Sequence, residues 1–244
     1  MTTATTLEAI PARRGAGNRT LNVIRLQLIS TQSFVWVPLV IVAGTLAICL
    51  IVFAMIPGDG VKPTGAAQAP LWYFAALGVQ AMTLTFPFSQ AMSVTRREFF
   101  VGTLVVGAIG GAMIATLFIA LAGLEVITNG YGMNGRIAYL EWLFEPSWAS
   151  AWLTYFTATL LLYVIGFWAA TVYKRFGWLV LTAVGVVLAL ALVVGLFIIT
   201  RTESWPAVFG WFAAVGPLAI TLIGLGVTAV LAAGAYLTLR KAVV

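Results

Sequence analysis

Histidine is absent from the 244 residues, cysteine occurs once, and only 8% of the side chains are charged. Each shortage closes a class of function. Without imidazole there is no Ser-His or Cys-His nucleophile pair. With Cys49 alone there is no disulfide framework, and the usual ligand set for zinc or another transition metal is missing. No GxxxxGK[ST] phosphate loop occurs, so the chain is not expected to hydrolyse nucleotide itself. The long apolar runs carry no Asp, Glu, Lys or Arg in their middles. Charge inside a bilayer usually marks an ion or proton path, so its absence argues against a proton-coupled carrier or a voltage sensor.

What is abundant is apolar. Hydrophobic residues make up 62% of the chain and the mean hydropathy is +1.06. Soluble domains sit nearer half apolar and a quarter charged, so this composition belongs in lipid. A crossing helix needs about 20 apolar residues. Six runs meet that need, at about 36–56, 71–92, 102–123, 149–171, 178–199 and 217–238. They are continuous and not alternating, which sets strands aside. The expected fold is an all-α integral membrane protein with six transmembrane helices.

Cationic residues orient it. With the N-terminus inside, Arg13, Arg14, Arg19, Arg25, Arg96, Arg97, Lys174, Arg175, Arg240 and Lys241 face the cytoplasm. Only Lys62, Arg136 and Arg201 face out. That bias places both termini in the cytoplasm, and it explains the net charge of +6 without invoking nucleic acid. Residues 1–19 read as a disordered cytoplasmic tail with no removable signal, and 20–244 as a single transmembrane domain.

Two segments depart from six plain hairpins. In 20–34, Leu21, Ile24, Leu28 and roughly Val23 share one side at helical spacing, as expected of a short interfacial helix. The other reading is an extension of the first span. The stretch WPAVFGWFAAVG, 205–216, is too short to cross and ends at Gly216-Pro217. It is expected to be an outer re-entrant or interfacial helix.

The segment SVTRREFFVG, 93–102, packs two arginines, a glutamate and two adjacent phenylalanines into ten residues between two spans. Thr95-Arg96-Arg97-Glu98 has the T-x-x-E pattern of a capping box, which predicts a new helix from about Thr95 with Phe99 and Phe100 on its first turns. One reading makes the arginines anchors and the box the start of the third span. The other makes this turn a docking element. Gly107 and Gly111 form a G-x-x-x-G suited to close helix packing, within one subunit or across a dimer, the former being the simpler. Glu141 and Glu145 lie four apart in EWLFE and would share a helix face.

The stretch FPFSQAMSVTRREFFVGTL, 86–104, resembles the corresponding segment in permease subunits of bacterial ATP-binding-cassette exporters, of the short six-span kind. There an apolar second span enters a small–x–Thr/Ser–Arg–Arg–x–Phe–Phe turn before a glycine-containing third span. The interfacial helix before the first span, the outer helix before the sixth and the ending span–Leu-Arg-Lys-Ala are similar too. The outer segment 124–148 is longer than the family pattern.

The resemblance implies that 93–101 is a coupling segment seated in a groove of a cytoplasmic ATPase. Thr95, Arg96, Arg97, Glu98, Phe99 and Phe100 would form that contact, and Lys174 and Arg175 a secondary one or plain membrane anchors. It implies no cofactor in this chain, with ATP and Mg on the partner, and a second permease copy or homologue beside it. It also implies a bacterial plasma membrane, and the uncharged, aromatic-rich spans suggest an amphipathic or hydrophobic cargo such as a lipid-linked molecule, peptide or antibiotic. The rival expectations are a non-pumping immunity or binding protein, a membrane enzyme using Glu141 and Glu145, and a passive channel.

Overall fold

The structure, a computed structural model, describes residues 16–28, 32–58 and 60–240. Arg13, Arg14, Asp59, Lys241 and most of the expected disordered tail lie outside them. Among the described residues, five helices are long and apolar enough to cross a membrane.

Helix α1, Ala16–Leu28, is the predicted amphipathic segment. Val23 is fully buried, Ile24 and Leu28 are half-buried, and Leu21 remains exposed. The buried stripe is therefore narrower than the sequence pattern implies. Gln27 Nε2 donates to Thr103 Oγ1 at 2.7 Å and ties α1 to a later helix.

The first long helix opens with a π-helical turn, Gln32–Trp36, and continues as α2, Val37–Met55. The second repeats the device: α3, Gln68–Gln80, passes through a π-turn, Ala81–Thr85, into α4, Phe86–Ala91. In both, a proline stands two residues beyond the π-turn, Pro38 in one and Pro87 in the other. Proline lacks an N–H, and its ring collides with the carbonyl four residues earlier. A widened preceding turn relieves both.

Helix α5, Arg96–Ile127, runs unbroken for 32 residues. The expected coupling segment 93–101 is thus not a separate helix, because the cap at Thr95 opens the third long helix directly. A short α6, Glu141–Phe144, precedes α7, Trp148–Arg201, and α8, Trp205–Arg240. Gly177 interrupts α7 at φ 83, ψ 176, and Gly216 interrupts α8 at φ 73, ψ 164. That backbone region is essentially reserved for glycine. The predicted runs 149–171 and 178–199 fall on either side of Gly177. The expected break before Pro217 is in place, with 205–215 largely exposed.

The core lies where α3, α5 and α7 meet, around Phe74, Ile114, Phe118 and Tyr163. Backbones approach closely there. A methyl on Gly78 would strike the Tyr163 carbonyl, and one on Gly166 the Ala75 carbonyl. Gly107 and Gly111 face the rings of Tyr163 and Phe156 on α7 of the same chain. Beyond Gly177, by contrast, nearly every side chain as far as Arg201 is exposed and most are apolar.

Candidate functional site

One end of the molecule gathers the turn before α5, the end of α8 and the stretch of α7 before Gly177. Sequence dictates the turn. Ser93 adopts φ 57, and Val94 N–H donates back to the Ser89 carbonyl at 3.1 Å, so the chain reverses between α4 and α5. Thr95 then caps α5 as its pattern predicts. Glu98 N–H donates to Thr95 Oγ1 at 3.3 Å, and Thr95 N–H donates to Glu98 Oε2 at 3.0 Å. Both bonds satisfy donors that a helix start leaves open.

The residues after the cap divide into two roles. Phe99 is 0% exposed, edge-on to Phe86 at 5.0 Å between centroids and 6.4 Å from Phe167. It belongs to the chain's own core with Val23, Met82 and Leu239, so it is an internal wedge and not a surface anchor. Phe100 is half-buried against Tyr236 and Phe167. Arg96 also works inward: its guanidinium donates to the carbonyls of Leu239 at 3.2 Å and Arg240 at 2.9 Å. Those carbonyls close α8, where a cation complements the helix dipole.

Arg97 is left exposed at the tip, beside exposed Thr95 and half-buried Glu98. Lys174 is exposed, and Arg175 holds its guanidinium 4.5 Å above the Phe176 ring. Arg240 is exposed as well. The arrangement is a cationic, hydrogen-bonded face built on a rigid helix start.

The opposite end holds a feature the sequence pattern did not single out. Glu125, near the end of α5, is 0% exposed. Its carboxylate accepts from three main-chain N–H groups: Ile137 at 3.2 Å, Ala138 at 2.9 Å and Tyr139 at 2.8 Å. Ala138 is held from its other side too, since its carbonyl accepts from Tyr155 Oη of α7 at 2.6 Å. Arg136 lies 5.0 Å from the Tyr139 ring centroid.

The segment between Glu125 and these amides turns through Asn129, Gly130, Tyr131, Gly132 and Asn134, all at positive φ. Asn and Gly tolerate that region best, so TNGYGMNG was the available signal for a folded cap. Strand β1, Lys62–Pro63, pairs in parallel with β2, Gly135–Arg136, and fastens the cap to the chain after α2. Lys62 Nζ in turn bonds the Phe53 and Ile56 carbonyls at 3.0 and 2.8 Å, closing α2. The long segment 124–148 is therefore an ordered lid over the helix ends.

Glu141 and Glu145 are exposed on and just after α6 at the rim of this lid. Among the described residues, no group of three or more His, Cys, Asp or Glu could hold a metal ion. No protein-family model, curated protein or solved structure matches the chain.

Proposed function

We propose that the chain is the permease subunit of an ATP-binding-cassette exporter in a bacterial plasma membrane. It would cross six times and work with a second copy or homologue and a cytoplasmic ATPase. The count follows from length. A continuous α7 of 54 residues would reach about 81 Å at 1.5 Å per residue, far beyond a hydrocarbon core of about 30 Å. Lys174 and Arg175 stand beside Gly177, where charge is tolerated only at a membrane surface. The two halves, 148–176 and 178–201, then cross separately, with both chain ends cytoplasmic.

The observation that carries the reading is the capped turn at Thr95. It presents Arg97 on a helix start locked to the end of α8 by Arg96. A force applied at such a rigid tip moves α5 as a unit. That is what a subunit without a nucleotide site of its own requires in order to be driven by a partner. ATP-dependent closure of the ATPases would shift the permease between two access states through their differential contacts with this tip. The uncharged span interiors suit an amphipathic or hydrophobic cargo.

The test is co-purification. The tagged chain, expressed in its host and extracted in mild detergent, is expected to bring down a soluble protein containing a GxxxxGK[ST] loop. Arg97→Glu should remove that protein without changing the elution profile of the chain, since the side chain is exposed. Recovery of the chain alone, or full recovery of the ATPase with Arg97→Glu, refutes the docking assignment. A protective binding protein that does not pump would give the first of those results.

A further inference from the structure

Between α1, the two π-turns and α5 lies a cavity of about 260 Å³. Its floor is enclosed: Phe34, Val106 and Tyr163 are each 5% exposed or less. At its rim stand Leu84 and Phe88, 61% and 68% exposed on the second long helix. Both lie on a helix long and apolar enough to cross a bilayer, so in a membrane they would stand beside acyl chains. The residues with polar groups in the lining are Gln27, Ser33, Gln80, Thr85 and Tyr163, and among the described residues no charged side chain contributes.

Three observations give this cavity a ligand chemistry. Gln27 spends its Nε2 on Thr103, while its Oε1 is buried with no hydrogen-bond partner. An orphaned acceptor of this kind is uncommon and costly. Both π-turns contribute wall residues, Ser33 and Phe34 from one and Ala81, Leu84 and Thr85 from the other. Such bulges occur frequently at functional sites. The volume lies just below the usual range for drug-sized ligands, so it takes a head group and not a whole lipid.

We propose that this cavity binds the hydroxyl-bearing head of an uncharged bilayer lipid of the diacylglycerol type. The acyl chains would leave past Leu84 and Phe88. A lipid hydroxyl reaching Gln27 supplies the donor that Oε1 lacks. It serves equally if the amide is turned over, because a hydroxyl both donates and accepts. An anionic phosphate would enter a site without a cation to meet it, a costly transfer. The site is independent of the ATPase-docking face and requires no nucleotide.

The experiment reconstitutes the full chain into vesicles of phosphatidylcholine and phosphatidylglycerol. The vesicles carry a trace of diacylglycerol with a photoactivatable diazirine on one acyl chain, and labelled peptides are mapped by mass spectrometry. Labelling is expected within 81–88 and 32–36. Capping the probe's hydroxyl as a methyl ether should reduce it about tenfold, and Gln27→Leu by about five- to tenfold, as expected for one lost buried hydrogen bond. Ala81→Phe, which fills the cavity, should abolish it, and the capped probe on wild-type protein keeps the test decisive if that variant fails to fold. Equal labelling by the capped probe, by a phosphatidylglycerol carrying the same diazirine, or in Gln27→Leu overturns the proposal. So does absence of label from these two segments. With no ATPase or nucleotide present, either result leaves the transport reading to its own test.

Discussion

Replacing Glu125 should open the lid and leave the helices in place. In Glu125→Ala three N–H groups lose their common acceptor, and two of them, those of Ile137 and Ala138, belong to buried residues. At about 1–3 kcal/mol for each buried donor left unsatisfied, the lid loses about 2–6 kcal/mol. Tyr139 is half-buried, and water can take its place at that amide. Glu125→Gln keeps one oxygen but turns an amide NH₂ toward backbone donors, so it should lose about 1.5–3 kcal/mol, the scale of a hydrogen bond to a charged group. The loss should be local, because α5 and α7 are held by their own core contacts.

Trypsin offers a direct assay. Arg136 lies in β2 inside the lid, half-buried beside Tyr139. Cleavage after it requires the lid to open, and when opening is fast its rate follows the open population. A loss of about 2 kcal/mol raises that population by about thirtyfold. Cleavage after Arg136 in detergent should therefore accelerate by at least that factor in Glu125→Ala, and by less in Glu125→Gln. A rate within twofold of wild type in the alanine variant would show that the carboxylate does not hold the lid.

Three further outcomes follow from the same contacts. The Tyr131 phenol is pushed up to about 12, by burial first and then by the charge of Glu125, whose Oε1 it approaches at 3.5 Å. A raised folded value means that its contribution is complete below the ordinary value of about 10 and is lost as pH rises through about 12. A melting-temperature series should fall across that window and fall less in Tyr131→Phe, and identical series would refute the assignment. Phe99→Ala should cost about 3–5 kcal/mol of stability as a core truncation, and an unchanged melting temperature would return Phe99 to the surface. Gly166→Ala should separate α3 from α7 and lower the melting temperature sharply, by more than Gly107→Ala, because it strikes backbone and not a movable ring. The reverse order would place the closest helix approach elsewhere.

The helical class, the approximate runs and the Thr95 cap were legible because each rests on local chemistry: apolar length, a T-x-x-E pattern, a Gly-Pro break. What escaped was decided by distant partners. Phe99 and Phe100 are adjacent and alike in sequence, yet Phe99 is enclosed because Phe86, Phe167 and Leu239 converge on it from three other helices. Arg96 and Arg97 are likewise identical in type, and only the position of the α8 carbonyls turns one inward. Glu125 escaped notice because nothing near it in sequence announces three amides arriving from 137–139. The tight Gly78 and Gly166 contacts lack the G-x-x-x-G spacing that drew attention to Gly107 and Gly111, since each meets the other helix alone.

The prolines join these local and distant effects. Pro38 and Pro87 each widen the turn before them, and the two π-turns face one space instead of opposite sides of the bundle. A regular helix at either position would rotate its following residues by part of a turn and change which side chains line the cavity. On one side of the cavity, α1 hangs on Gln27 and Thr103; on the other, Val106 belongs to α5, the same rod that carries the Arg97 tip and the Glu125 lid. At 1.5 Å per residue that rod is about 48 Å long, enough to span the bilayer with a fixed group at each end. A rigid displacement of α5 would carry Arg97, Val106 and Glu125 together.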